Sequence, residues 1–257
     1  MDMLVASCVA PRRLELERHS VAPLGPHEAL IRLAYCGVCP SDLRIFLGLS
    51  SSVRYPIQLG HEAAGIVADV GSGVKNLHPG DRVLVDVIRR CGECPACRRG
   101  FENHCDKLDW SRGAFAEYIT VPAANAFRLR DNTSLSDAAL AEPLACVIRG
   151  QNQVRPQPGE WALVSGAGPL GLLHLQRLKL LGLRVIVTDL MDSRLPMARE
   201  LGADEVLNPA RDDLRGAVAA VTAGWGLELA VVANGQMQAV SQALDCLGLG
   251  GRILLFA

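Results

Sequence analysis

The pattern of hydrophobic and polar positions differs between the two halves of this 257-residue chain. In the first half, short apolar runs such as "ALIRLAYCG" and "AAGIVADVG" are broken at close intervals by glycine and proline. Short strands at that spacing predict a barrel-like or sandwich-like β-body. From about residue 160, buried strand patterns such as "WALVSG" and "RVIVTD" alternate with helical ones, which predicts a doubly wound parallel sheet. The polar stretch "QNQVRPQPG" marks the boundary, giving domains 1–150 and 151–257.

Composition and charge narrow the classes of function. The chain has 26 basic and 27 acidic residues, so electrostatics gives no reason to expect nucleic acid or an acidic membrane as a partner. No apolar run approaches the roughly 18 residues of a membrane span, and the N-terminus does not resemble a signal peptide. A hydrophobic content of 49% is enough to bury a sizeable core. We therefore expect a cytoplasmic protein with no membrane partner.

Four of the nine cysteines lie in the segment "CGECPACRRGFENHC", at Cys91, Cys94, Cys97 and Cys105. Short turns let neighbouring thiolates converge on one Zn²⁺, and four thiolates fill its coordination sphere, so such a site is structural. Disulfides are an alternative, disfavoured in a reducing cytosol. An iron–sulfur cluster is a second alternative, because its ligands often follow C-x2-C-x2-C. Structural zinc is the favoured interpretation, mainly because of the motifs beside the cysteines; their spacing alone would favour it less.

A second group of metal-binding side chains is spread along the chain. It consists of Cys39 in "CGVCPSD", His61 and Glu62 in "GHEAAG", and Glu142 in "AEPLACVIRG". A cysteine, a histidine and a carboxylate with one open position describe a catalytic zinc, which acts as a Lewis acid on an alcohol or carbonyl oxygen. Each residue alone is a weak signal, because a lone cysteine is more often a small buried apolar side chain.

A dinucleotide-binding motif follows in "WALVSGAGPLGLLHLQRLKLLGLRVIVTD", which reads as a strand, a glycine-rich turn, a helix and a second strand. Three glycines fit G-x-G-x-x-G and allow a tight turn, close approach of a pyrophosphate and close packing of helix on strand. A carboxylate at the end of the second strand would bind the ribose hydroxyls and repel a 2′-phosphate, which favours NAD over NADP. The predicted cofactor-binding residues are Gly166, Gly168, Pro169, Leu170, Gly171 and Asp189.

Taken in this order, the motifs resemble those of the zinc-dependent medium-chain alcohol dehydrogenases. "GHEAAGIVADVGSGV" matches the zinc signature of that family, "CGECPACRRGFENHC" its structural-zinc lobe, and "GAFAEYITVPA" and the glycine-rich motif follow in the family order. The resemblance covers the whole chain. It implies a GroES-like catalytic domain, a Rossmann domain, an active site in the cleft between them, two zinc ions per chain and NAD.

The resemblance also implies roles for individual residues. Cys39 and His61 become ligands of the catalytic zinc, Glu62 and Glu142 compete to complete it, and Cys146 is a weaker competitor. Ser41 would hydrogen-bond the substrate hydroxyl and begin a proton relay, and Asp42 would support the site. Cys36 is expected to be a packing residue. Arg44 stands where the family often has histidine; because arginine stays protonated, the proton must leave by another route, through ribose hydroxyls and water.

The implied reaction is oxidation of a secondary alcohol by hydride transfer to NAD. Glu142 in "EPLA" is similar to the sorbitol and sugar-alcohol branch, so we expect a polyol, a sugar alcohol or an aminocyclitol as substrate. Threonine dehydrogenation and aldehyde reduction remain alternatives. With "RILLFA" as the fifth strand of an order 3-2-1-4-5-6, the sheet would lack its last strand. A fragment or an inactive, zinc-binding truncated homologue is therefore also an alternative, and a homo-oligomer is expected of the full-length form.

Overall fold

The computed structural model describes residues 1–110 and 113–256, which form two compact units, Met1–Glu142 and Pro143–Ala257. The division falls in the first turn of helix α4 (Ala141–Val154), whereas the sequence pattern placed it after residue 150. The polar stretch that begins at Gln151 is still helical at its start, because Gln151 packs inward and is fully buried.

The first unit is an antiparallel β-body with short helices. A five-stranded sheet has the order β7-β3-β5-β6-β8, and a three-stranded sheet has the order β2-β1-β4. The strands are β1 (Asp2–Ala10), β2 (Arg13–Ser20), β3 (Glu28–Gly37), β4 (Ile57–Gln58), β5 (Glu62–Val70), β6 (Arg82–Val85), β7 (Tyr118–Pro122) and β8 (Ala126–Arg128). The α-helices are α1 (Pro40–Phe46), α2 (Pro95–Arg98) and α3 (Leu135–Ala139). Ile31, Val67 and Val83 belong to its buried core. The GroES-like β-fold expected from the sequence is confirmed.

The second unit is a parallel sheet with helices on both faces. Its strands are β9 (Trp161–Ser165), β10 (Arg184–Thr188), β11 (Glu205–Leu207), β12 (Leu227–Val232) and β13 (Leu247–Leu255). Its helices are α4, α5 (Pro169–Leu180), α6 (Leu195–Glu200), α7 (Leu214–Thr222) and α8 (Met237–Cys246). All pairings are parallel, in the order β11-β10-β9-β12-β13. Counted along the chain this is the order 3-2-1-4-5, so the predicted doubly wound topology is confirmed.

The central strand β9 shows why this sheet needs two helical layers. Its residues alternate between two hydrophobic clusters, with Val164 in one and Leu163 in the other. Side chains of successive strand residues point to opposite faces, so an entirely apolar strand must be covered on both sides. Helix α5 contributes Leu175 and Leu178 to the first cluster, and α7 contributes Val218 to the second.

Strand β13 lies at one edge of this sheet among the described residues. It begins at Leu247, earlier than the predicted fifth strand, whose last residue Ala257 lies outside the described part of the chain. Leu249 and Leu255 on this strand are largely exposed. Within residues 1–110 and 113–256, no helix has both the length and the apolar character needed to cross a membrane.

Candidate metal centres and cofactor site

The four-cysteine lobe is organised by its own backbone. The amide of Cys91 donates to Sγ of Cys105 (3.3 Å), that of Cys94 to Cys91 (3.4 Å), and that of Cys97 to Cys94 (3.5 Å). Cys94 is the N-cap of α2, and its Sγ accepts a hydrogen bond from the amide of Cys97. This hydrogen bond lowers the pKa of the Cys94 thiol to about 6. Amide donors at the sulfurs favour thiolates, the form in which cysteine binds metal.

The sulfur positions fit one tetrahedral zinc ion. All four Sγ atoms lie within 4.8 Å of one another, with Cys91 at 3.5 Å from Cys105 and 4.0 Å from Cys97. Zn–S bonds of about 2.3 Å in a tetrahedron place sulfurs about 3.8 Å apart, whereas a disulfide needs about 2.05 Å. All nine cysteines are free, so the disulfide alternative is excluded for this structure.

The second group of donors is assembled by two antiparallel strands. Cys39 follows the end of β3, and His61 and Glu62 stand at the start of β5, which pairs with β3 so that Gly37 lies opposite Glu62. Each of the three offers a ligand atom, and these atoms lie within 4.8 Å of one another. One thiolate, one imidazole and one carboxylate are a donor set that zinc accepts, with a fourth position left for substrate or water.

Asp42 holds this group in shape from a buried position. Its Oδ2 accepts the amide of Cys39 (3.0 Å), and its Oδ1 accepts the amide of Gly60 (3.0 Å) and lies 3.6 Å from Nδ1 of His61. Burial opposes ionisation of Asp42, but these hydrogen bonds outweigh it and leave its pKa below the ordinary value. A carboxylate against one nitrogen fixes the orientation of a metal-binding imidazole, which is the support expected of Asp42.

The protonation states of Cys39 and His61 are coupled. Hydrogen bonds to Asp42 and Cys39 raise the pKa of His61 to about 10, and the His61 hydrogen bond lowers the pKa of Cys39. Without metal, His61 is therefore an imidazolium at neutral pH, and this cation favours the thiolate form of Cys39. Metal binding requires the neutral imidazole, so loading this site must release a proton.

The structure treats the two competing carboxylates differently. Glu62 contributes to the group of three donors, and Glu142, in the first turn of α4, does not. Burial raises the pKa of Glu62, and the negative charge of Glu142 raises it further, so the two carboxylates are close enough to interact. Glu62 is thus the carboxylate that this geometry presents to a metal.

The remaining predicted residues are not members of this group of three donors. Ser41 is exposed on α1 and hydrogen-bonds Cys39, while Arg44 is exposed on the same helix. Cys36 packs against the core of the five-stranded sheet, and burial raises its pKa to about 12, as suits a packing residue. Cys146 is exposed on α4 and is not among the three clustered donors.

The glycine-rich turn joins β9 to α5. Gly166 has a φ of 107°, a conformation that only glycine adopts readily. A Cβ on Gly171 would overlap the carbonyl oxygen of Gly166, so helix and turn can approach only without a side chain there. Gly168 is the N-cap of α5, and Pro169 and Leu170 are its first residues. The amides at this helix end are positioned for a phosphate group.

A cavity of about 420 Å³ opens beside this turn, and Asp189 forms part of its wall. Asp189 accepts the amides of Ala167 (Oδ2, 2.8 Å) and Met191 (Oδ1, 2.8 Å), and Nη1 of Arg194 lies 3.4 Å from its Oδ2. The volume is that of a ligand pocket. Sequence reasoning missed Arg194 and Asn234 in this wall. Asn234 follows β12, and a polar residue after a buried parallel strand was the signal that could have found it.

Comparison with known families accounts for both units. Residues 25–131 match the model described as "Alcohol dehydrogenase GroES-like domain", and residues 169–257 match "Zinc-binding dehydrogenase". The L-idonate 5-dehydrogenase of Vitis vinifera is 32% identical, over 99% of this chain and 73% of that protein. The L-threonine 3-dehydrogenase of Pyrococcus abyssi is 36% identical, over 94% of this chain and 71% of that protein.

Solved structures show the same similarity. A zinc-binding dehydrogenase from Sinorhizobium meliloti 1021, bound to NADP, matches with a TM-score of 0.89 and 28% identity over 98% of this chain and 76% of that one. An alcohol dehydrogenase from Escherichia coli CFT073, complexed with NADH, matches with a TM-score of 0.87 and 30% identity, covering 98% and 75%. The four-cysteine lobe therefore lies in a zinc-binding family, which decides against the iron–sulfur alternative.

Proposed function

Since the chain belongs to the zinc-dependent medium-chain alcohol dehydrogenase family, we propose that it oxidises a secondary alcohol of the polyol class with NAD as hydride acceptor. The observation that carries the proposal is the group Cys39, His61 and Glu62, three donors of the correct chemistry with a coordination position left open. The chain is a zinc-dependent, nicotinamide-linked oxidoreductase, and we propose that these three residues form its catalytic metal site.

Zinc held by these residues supplies a Lewis acid that makes a substrate hydroxyl easier to deprotonate. Asp42 keeps His61 oriented and pins the loops that carry Cys39 and Gly60. Ser41 Oγ would accept the substrate proton while its own hydroxyl proton is passed on, so that the hydroxyl stays neutral. Because Ser41 is exposed, the proton can pass on to water without help from Arg44.

The second unit would bind the cofactor at the turn between β9 and α5. The helix end takes the pyrophosphate, and Asp189 takes the adenosine ribose hydroxyls. NAD held there would supply the hydride acceptor, and the residues of this turn would align it. The two backbone amides on Asp189 fix the carboxylate in place, which supports a preference for NAD over NADP.

The cellular location of the protein and its assembly are each proposed from one observation. Nine free cysteines suit a reducing compartment, which supports a cytoplasmic protein. The largely exposed apolar side chains of Leu249 and Leu255 on β13 support self-association into a homo-oligomer. Light scattering on the purified protein would measure its mass in solution.

The activity is tested with the zinc-loaded chain, by following NADH formation with sorbitol, L-idonate, L-threonine and a simple secondary alcohol. We expect the polyols to be turned over fastest, and NAD to be preferred to NADP. Faster turnover of L-threonine would establish the threonine dehydrogenase alternative, which the similarity to the Pyrococcus abyssi enzyme supports. A fully loaded, folded chain that oxidised none of these alcohols with either cofactor would contradict the proposal.

A further inference from the structure

Gly37 lies directly opposite Glu62 in the antiparallel pairing of β3 with β5. Side chains that face each other across such a pair point to the same side of the sheet. A side chain at position 37 would therefore enter the space used by Glu62. Sequence reasoning assigned Gly37 no role, although it stands between Cys36 and the ligand Cys39.

The Glu62 side chain occupies the space that the missing Cβ leaves free. A Cβ on Gly37 would overlap Oε2 of Glu62 and lie 3.1 Å from both Cβ and Cδ of Glu62. The carboxylate thus lies over the backbone of Gly37, and in that position its oxygen falls within 4.8 Å of the Cys39 and His61 donor atoms.

The backbone at Gly37 does not itself demand glycine. Its φ is not in the left-handed region, in contrast to the φ of 91° at Gly60. The three nearest atoms to a Cβ at position 37 all belong to the Glu62 side chain. An alanine there is compatible with the strand and incompatible with this placement of the carboxylate.

We infer that Gly37 is a positioning residue for the catalytic metal: the absence of its side chain is what lets Glu62, rather than Glu142, complete the ligand set. This rests on the proposed metal-binding role of Cys39, His61 and Glu62. The Gly37→Ala variant should keep its fold and displace Glu62 from the metal. Cys39 and His61 would then hold the ion without that carboxylate.

The test is a double-mutant cycle in which the affinity for Zn²⁺ is measured at the site of Cys39, His61 and Glu62 (the second site). Zn²⁺ affinity at the second site is measured by chelator competition in the full chain, in Gly37→Ala, in Glu62→Ala and in the double variant. Cys39→Ser provides the baseline for a chain that loads only the four-cysteine lobe. We expect Gly37→Ala to weaken binding at the second site about 10- to 100-fold, the range typical of lost supporting contacts. In the Glu62→Ala background, the same change should cost less than about twofold, because nothing remains for the new methyl group to displace.

The outcomes separate the inference from the proposed function. Wild-type affinity in Gly37→Ala would overturn the inference, and so would an equal loss in both backgrounds, which would indicate a backbone effect. A wild-type chain that binds one zinc ion only, in the lobe, would instead contradict the proposed function. Thermal unfolding of Gly37→Ala within about 2–4 °C of wild type would show that the fold is intact.

Discussion

The two groups of metal-binding side chains in the first unit are built in opposite ways. The four-cysteine lobe draws its ligands from one segment, and local backbone amides hold the sulfurs. The group of Cys39, His61 and Glu62 depends on the pairing of β3 with β5 and on a buried carboxylate. The first group offers four ligand atoms, which would fill the coordination sphere of a zinc ion, and the second offers three, which would leave a position open. A closed local site can stabilise a loop, whereas chemistry requires the open site and therefore the intact sheet.

Removing a ligand from the open site should have the largest effect on activity. We expect Cys39→Ser to lower turnover about a thousandfold or more, because a Lewis acid contributes several kcal/mol to the reaction and each 1.4 kcal/mol is a factor of ten. Stability should change little, since Cys39 is only half-buried and does not belong to a core cluster. Turnover rates and thermal unfolding measure the two effects. The matched control is Cys36→Ser, which should keep both metal ions; equal inactivation of the control would remove the assignment of Cys39.

Removing a ligand from the closed site should show the reverse pattern. Cys97→Ser is expected to lose one zinc ion per chain, to expose residues 91–105 to protease and to lower the unfolding temperature by several degrees, with a smaller loss of turnover. Metal content and limited proteolysis are the measurements. Cys8→Ser is the control, because Cys8 is also buried but lies outside both groups. Retention of two zinc ions by Cys97→Ser would contradict the lobe assignment.

Acid should separate two histidines with opposite environments. His61 has a pKa raised by a carboxylate, whereas burial and then the charge of Arg177 lower the pKa of His174 from 6.5 to about 4. His174 is fully buried, accepts a hydrogen bond from Gln151 Nε2 at Nδ1 (2.9 Å), and packs edge-on against Phe256. Its folded-state pKa is below the unfolded one, so the unfolded chain binds the proton first as the pH falls.

The stability of the second unit should therefore be complete above about pH 6.5 and decline towards pH 4, by about 3 kcal/mol in total. Denaturant unfolding across this pH range measures the slope. His174→Leu should be less stable at neutral pH, because Gln151 Nε2 loses one of its two acceptors, but its stability should depend less on pH. If the variant and the wild type showed the same pH dependence, His174 would not be the titrating group.

The sequence allowed most of the fold to be predicted and only part of the open site. Some patterns involve only residues that are close together in the sequence: the periods of strands and helices, the glycine-rich turn and the cysteine spacing. These patterns predicted the parallel strand order and the four-cysteine lobe. The choice between Glu62 and Glu142 could not be made, because it depends on which side chain crosses Gly37 from the neighbouring strand. The burial of Gln151 could not be predicted for a related reason: it is a tertiary contact, and composition alone indicated a loop.

The smallest effect is expected from a substitution at the cofactor-binding turn, which, like the four-cysteine lobe, is formed by residues close together in the sequence. Asp189→Asn keeps an acceptor for only one of the amides of Ala167 and Met191, which bond to different carboxylate oxygens, and it removes the negative charge that would repel a 2′-phosphate. We expect the preference for NAD over NADP, measured as the ratio of kcat/KM values, to fall about tenfold, equivalent to about 1.4 kcal/mol. Arg194→Gln is the opposing control: it removes the cation beside Asp189 and should raise the ratio. An unchanged ratio of kcat/KM values in both variants would mean that other residues of the cavity wall determine cofactor selectivity. The glycine-rich motif would then indicate dinucleotide binding without determining whether NAD or NADP is used.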